Sequence, residues 1–148
     1  AIAQQSLGMS KEALTDYESL YSKSNSIFHL YQIATLQYEL KRVAECNASI
    51  EKIINNPESE KREINIGTGN RGQQQNVSLK AAALNVKGVL AMDLNENAIA
   101  KACFENALKL NPDFVLAKNN LDYIITKAAP AKAPTGGGKQ NTPVKPAK

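Results

Sequence analysis

Few residues in this 148-residue chain have the chemistry of nucleophiles, bases or soft metal ligands: two cysteines, Cys46 and Cys103, and one histidine, His29. A catalytic nucleophile needs a base within hydrogen-bond reach, and a zinc site needs three or four ligands at recurring spacings. This set meets neither requirement. The carboxylates are scattered, and no acid–base pair can be placed. We therefore read no catalytic residue, no metal site and no cofactor. Unpaired cysteine is among the most buried residue types, so both thiols are expected free and in packing positions. Gly67-x-Gly69-x-x-Gly72 is formally a GxGxxG string. A dinucleotide fingerprint also needs a helix opening at the last glycine, inside a βαβ unit. Here three glutamines and a strand-like run follow, so the string reads as a turn and no nucleotide is expected. Asn47-Ala48-Ser49 and Asn76-Val77-Ser78 match the glycosylation acceptor triplet, which is common by chance.

The elements that carry these residues are helical. Leu84-x2-Lys87-Gly88-x2-Ala91 is followed by Ala100-x3-Phe104-x2-Ala107 and then Pro112. This spacing resembles the tetratricopeptide repeat (TPR) family, whose units carry W-x2-L-G-x2-Y, then A-x3-F, then P. Lys87 and Ala91 depart from that pattern. The resemblance puts Gly88 and Ala100 where two helices approach closely, with Asn95 in the turn between them. A looser copy holds Leu30-x2-Ile33-Ala34, then Cys46, Ile50, Ile53 and Pro57, with an apolar stripe at 43, 46, 50, 53 and 54. Leu7-Gly8 reads as a helix end and turn, and Ala13-x3-Tyr17-x2-Leu20 repeats the second-helix spacing. Counting back places Ala1 inside a first helix, so the chain reads as a fragment or a mature chain cut from something longer. After Pro112, Phe114, Ala117, Leu121, Ile124 and Ile125 share one face, with Lys118 and Asp122 on the other, as in a capping helix.

The expected fold is all-α: a TPR-like α-α superhelix of antiparallel helix hairpins with a small inserted β-hairpin. The array spans 1–127, as a partial repeat 1–26, a repeat 27–60, an insertion 58–80, a repeat 81–114 and a capping helix 114–127. Cys46 and Ala100 hold the same slot in successive repeats, yet their separation exceeds one repeat length by roughly 20 residues, which marks an insertion. Glu63-Ile64-Asn65-Ile66-Gly67 and Asn76-Val77-Ser78-Leu79-Lys80 alternate with period two. Ile64, Ile66, Val77 and Leu79 would form one apolar face packed on the helices. A lone two-stranded hairpin is marginal, so it needs that packing.

Charge sits unevenly along the chain. Of 18 Lys and Arg, four (Lys132, Lys139, Lys145 and Lys148) lie after residue 128, where there is no acid; 14 bases against 14 acids remain before it. The pI of 9.0 therefore belongs to the tail, and no specific nucleic-acid surface is expected on the array. The tail, 128–148, is rich in Ala, Pro, Gly and Lys, too poor in apolar residues to build a core, and reads as disordered. No apolar run is long enough to span a bilayer.

The resemblance implies that first helices line a concave groove for a partner protein or peptide. The groove positions would be Tyr31, Thr35 and Tyr38, then Asn85, Val89 and Met92, then Asn119 and Tyr123. The same positions would equally serve packing between repeats. Some family members clamp acidic chaperone tails with Lys, Asn and Arg. The corresponding positions here are Tyr31, Thr35, Val86, Leu116 and Asn120, so that clamp is absent. The expectation is a non-catalytic interaction scaffold, a subunit or assembly factor of a larger complex. The alternatives are a regulatory or targeting region of a larger enzyme, or an electrostatic tether acting through the basic tail. The compartment is open between cytoplasm and periplasm.

Overall fold

The computed structural model describes residues 2–69 and 71–128. Seven helices and one two-stranded sheet are present among these residues: α1 (Ile2–Ser24), α2 (Ile27–Glu39), α3 (Val43–Ile54), α4 (Glu58–Lys61), β1 (Glu63–Gly67), β2 (Gln74–Ser78), α5 (Leu79–Asp93), α6 (Asn97–Leu110) and α7 (Val115–Ala128). The chain is thus mostly helical, with a small antiparallel sheet inserted between two helix pairs. The basic segment 129–148 lies outside the described residues. Ala128, assigned to the tail from sequence, ends α7.

Two pairs, α2–α3 and α5–α6, are built alike. Each joins its helices through a short turn, Leu40-Lys41-Arg42 in one and Leu94-Asn95-Glu96 in the other. Lys41 and Asn95 both take φ of 61°, the left-handed conformation that ends a helix. Lys41 N–H donates to Tyr38 O and Arg42 N–H to Gln37 O; Asn95 N–H donates to Met92 O and Glu96 N–H to Ala91 O. Both turns are therefore Schellman motifs, and they fall at equivalent places in the two pairs. Ser26 and Ser78 cap the N-termini of α2 and α5, accepting from Phe28 N–H and Ala81 N–H.

The core follows the same plan. Ile27, Leu30 and Ala34 of α2 pack with Cys46, Ile50 and Ile53 of α3 and with Leu79, Ala83 and Leu90 of α5. Ala91 of α5 then packs with Ala100 and Phe104 of α6 and Ile124 of α7. The first core is closed by α5 and the second by α7, so neither pair buries its apolar face alone. A Cβ built on Gly88 would lie 2.5 Å from Phe104 Cε1. Only glycine lets the ring seat there. Within the α2–α3 pair, the thiol of Cys46 donates to Ala34 O at 3.3 Å. Both cysteines are free and buried. Burial pushes the Cys46 thiol up to about 11, which keeps it protonated and unreactive.

Three local expectations are corrected. Leu7-Gly8 is no turn: α1 runs unbroken from Ile2 to Ser24. An exposed glycine with open space around it weakens a helix by about 1 kcal/mol without ending it. The second strand spans Gln74–Ser78 instead of 76–80, because Ser78 caps a helix that begins at Leu79. Ile64 pairs with Val77 and Ile66 with Gln75, so Gln75 replaces Leu79 on the inward face of the hairpin. On the outward face Asn65 Nδ2 donates to Asn76 Oδ1 at 2.9 Å. Finally, Ile125 is 49% exposed, whereas Phe114, Ala117 and Ile124 of its expected stripe are buried.

Gly67 closes β1, and Gly69 and Gly72, with φ of 87° and 74°, shape the tip. The inward face of the hairpin joins a third cluster with Ala81, Ala82 and Leu84 of α5, Ala107 of α6, and Phe114 and Ala117 of α7. The Gln75 amide holds the start of α7 at two points: Nε2 donates to Asp113 O at 2.9 Å, and Oε1 accepts from Val115 N–H at 2.8 Å.

Candidate functional site

The residues expected to line a groove lie on α2, α5 and α7. These helices are neighbours: α5 touches both α2 and α7. The structure divides the eight positions into two groups.

Tyr31, Thr35 and Asn85 are engaged within the protein. Tyr31 is half-buried and packs against both the α2–α3–α5 core and the hairpin cluster. Burial pushes its hydroxyl up to about 12. Thr35 Oγ1 donates to Gln32 O at 2.9 Å. Asn85 is only 8% exposed, and its Oδ1 accepts from Asn120 Nδ2 at 3.0 Å, tying α5 to α7.

Tyr38, Met92 and Tyr123 gather at the other end of the face. The Tyr38 hydroxyl donates to Asp93 Oδ2 at 2.6 Å, a bond from one helix pair to the next. Burial first, then this bond and the charge of Asp93, raise the Tyr38 hydroxyl to about 12, so it stays a protonated donor at neutral pH. Met92, Asp93, Asn97, Tyr123 and Ile124 line a pocket of ≈ 130 Å³. Tyr123 is 57% exposed. Val89 and Met92 are partly buried against the α5–α6–α7 core, and Asn119 is exposed.

Asp93, Asn97 and Ile124 were not among the sequence-derived site residues. The signal for Asp93 was present: it precedes Asn95 by the same step as Glu39 precedes Lys41, so carboxylates occupy the same place on α2 and α5. Asn97 enters because the Schellman turn brings the start of α6 beside the end of α5. Ile124 belonged to the expected core stripe of α7; one edge of it reaches the pocket.

His29 serves structure. Its Nδ1 lies 3.0 Å from Ser24 Oγ and its ring packs near Tyr17, joining the end of α1 to the start of α2. At both glycosylation triplets the serine hydroxyl is engaged: Ser49 Oγ donates to Gln37 Oε1 at 2.8 Å, and Ser78 caps α5. Among the described residues, no group of three or more His, Cys, Asp or Glu could hold a metal ion, and no helix is long and apolar enough to cross a membrane. No family model, no curated protein and no solved structure matches the chain.

Proposed function

We propose that this protein is a non-catalytic interaction scaffold, a TPR-like superhelix that holds a segment of a partner protein along the face of α2, α5 and α7. The observation that carries the reading is the open end of that face. Met92 and Tyr123 line a pocket together with Asp93, whose carboxylate accepts a hydrogen bond from Tyr38. Aromatic and methionine side chains around a small concavity are the composition of binding hot spots. The repeat reading is supported by the two Schellman turns at equivalent places and by Gly88 packed under Phe104. Lys87, a departure from the repeat pattern, reaches Glu51 on α3 at 2.5 Å and thereby joins the two units.

The test is selection of a random peptide library on the immobilised full chain. Peptides should be enriched whose binding falls at least roughly tenfold in Tyr123→Ala and Met92→Ala. Glu105→Ala, on the exposed side of α6, should leave binding unchanged. Tyr31→Ala is a poor probe, since its ring is part of the packing. Failure to enrich any peptide, or enrichment that ignores Tyr123 and Met92, would sink the reading.

A further inference from the structure

The pocket at the end of α5 has a chemical preference. At ≈ 130 Å³ it is smaller than the roughly 300–1,000 Å³ of sites for whole small molecules, and suits a single side chain. Its walls are apolar at Met92, Ile124 and the Tyr123 ring, and polar at Asp93 and Asn97. That arrangement fits a side chain with a long apolar stem and a polar head.

Charge decides what the head is. Asp93 takes part in none of the ion pairs among the described residues. Its one hydrogen bond seen there comes from the hydroxyl of Tyr38, which leaves the carboxylate oxygens further acceptor capacity. No Lys or Arg occurs anywhere in α2. The two lysines of α5 are both committed elsewhere, Lys80 to Glu60 at 2.8 Å and Lys87 to Glu51 at 2.5 Å. Glu96 immediately precedes Asn97, and the carbonyl end of α5 adds partial negative charge. Asp93 is the charged residue among those that line the pocket, and both lysines of α5 are paired elsewhere.

We infer that this pocket receives a lysine or arginine side chain of the partner segment, with its stem on Met92 and Tyr123 and its cationic head on Asp93. The inference rests on the scaffold reading and adds the chemistry of the occupant. Tyr38 acts as a positioning residue: its hydroxyl fixes the Asp93 carboxylate. The Tyr123 ring adds a cation–π surface to the same site.

The experiment runs the peptide selection in parallel on the wild type and on Asp93→Asn, which keeps the shape and an acceptor for Tyr38 but removes the charge. Peptides from the wild type should carry Lys or Arg at one fixed position, and those from Asp93→Asn should not. The most enriched wild-type peptide, labelled with fluorescein, should bind Asp93→Asn roughly tenfold more weakly. The same peptide with norleucine in place of the basic residue should lose a similar factor on the wild type and little more on Asp93→Asn. Wild-type peptides without a basic preference, or a preference that survives Asp93→Asn, would overturn the inference and leave the scaffold reading standing. No enriched peptide on either protein would overturn both.

Discussion

The two helix pairs α2–α3 and α5–α6 share one backbone plan and solve its packing differently. Where the second pair sets Gly88 against Phe104, the first sets Ala34 against Ile50. Where the second has Ala91 and Cys103, the first has Gln37 and Ser49, buried and hydrogen-bonded to each other. The left-handed turn residue is Asn95 in one and Lys41 in the other. Volume lost on one helix returns on its partner, and a polar atom is buried only with a mate. The plan constrains pairs of residues, and single positions only through them.

Exchanging the pairs tests this. Gly88→Ala should cost about 2–3 kcal/mol in urea unfolding, because its Cβ meets the Phe104 ring. Adding Phe104→Ile, which copies the first pair, should recover part of that loss. If Gly88→Ala alone is neutral, the close approach is not a constraint. A smaller loss of about 1–2 kcal/mol is expected for Gln37→Ala, which strands the buried Ser49 hydroxyl. Adding Ser49→Cys, copying the second pair, should bring stability back toward the wild type; purely additive losses would refute the pairing.

The weakest distinction shows only at alkaline pH. Tyr31 and Tyr38 of the first pair are both raised to about 12, while their counterparts Asn85 and Met92 do not titrate. A raised hydroxyl contributes stability that is intact below its unfolded value near 10 and is lost as pH climbs through 12. Stability should therefore decline between pH 10 and 12, and less steeply in Tyr31→Phe with Tyr38→Phe. An unchanged slope in that double variant would show that the tyrosines are not its source.

The helix pairs were legible in the sequence because their packing slots recur at fixed spacing. The first turn was harder to see, since lysine is an unusual choice for the left-handed position that Asn95 advertises. In the hairpin, the alternation of Ser78-Leu79-Lys80 continued the strand pattern while Ser78 also signalled a helix start, and the cap won. Repeat spacing pointed to positions that lie on α2, α5 and α7. Spacing alone does not tell that Asn120 would draw Asn85 inward, or that Ile64 and Ile66 would bring a third cluster against Tyr31. Those outcomes depend on contacts between distant segments, and so does the placing of Asp93 beside Tyr38.

The Gln75 amide gives the molecule a different mode of coming apart. In a stack where each unit touches only its neighbours, helices can fray from the end one after another. Here the first turn of α7 is held by a residue from the far earlier hairpin. Releasing α7 also uncovers one side of the hairpin cluster, which α7 shares with α5 and α6. The inserted hairpin and the C-terminal helix should therefore come apart together instead of one after the other.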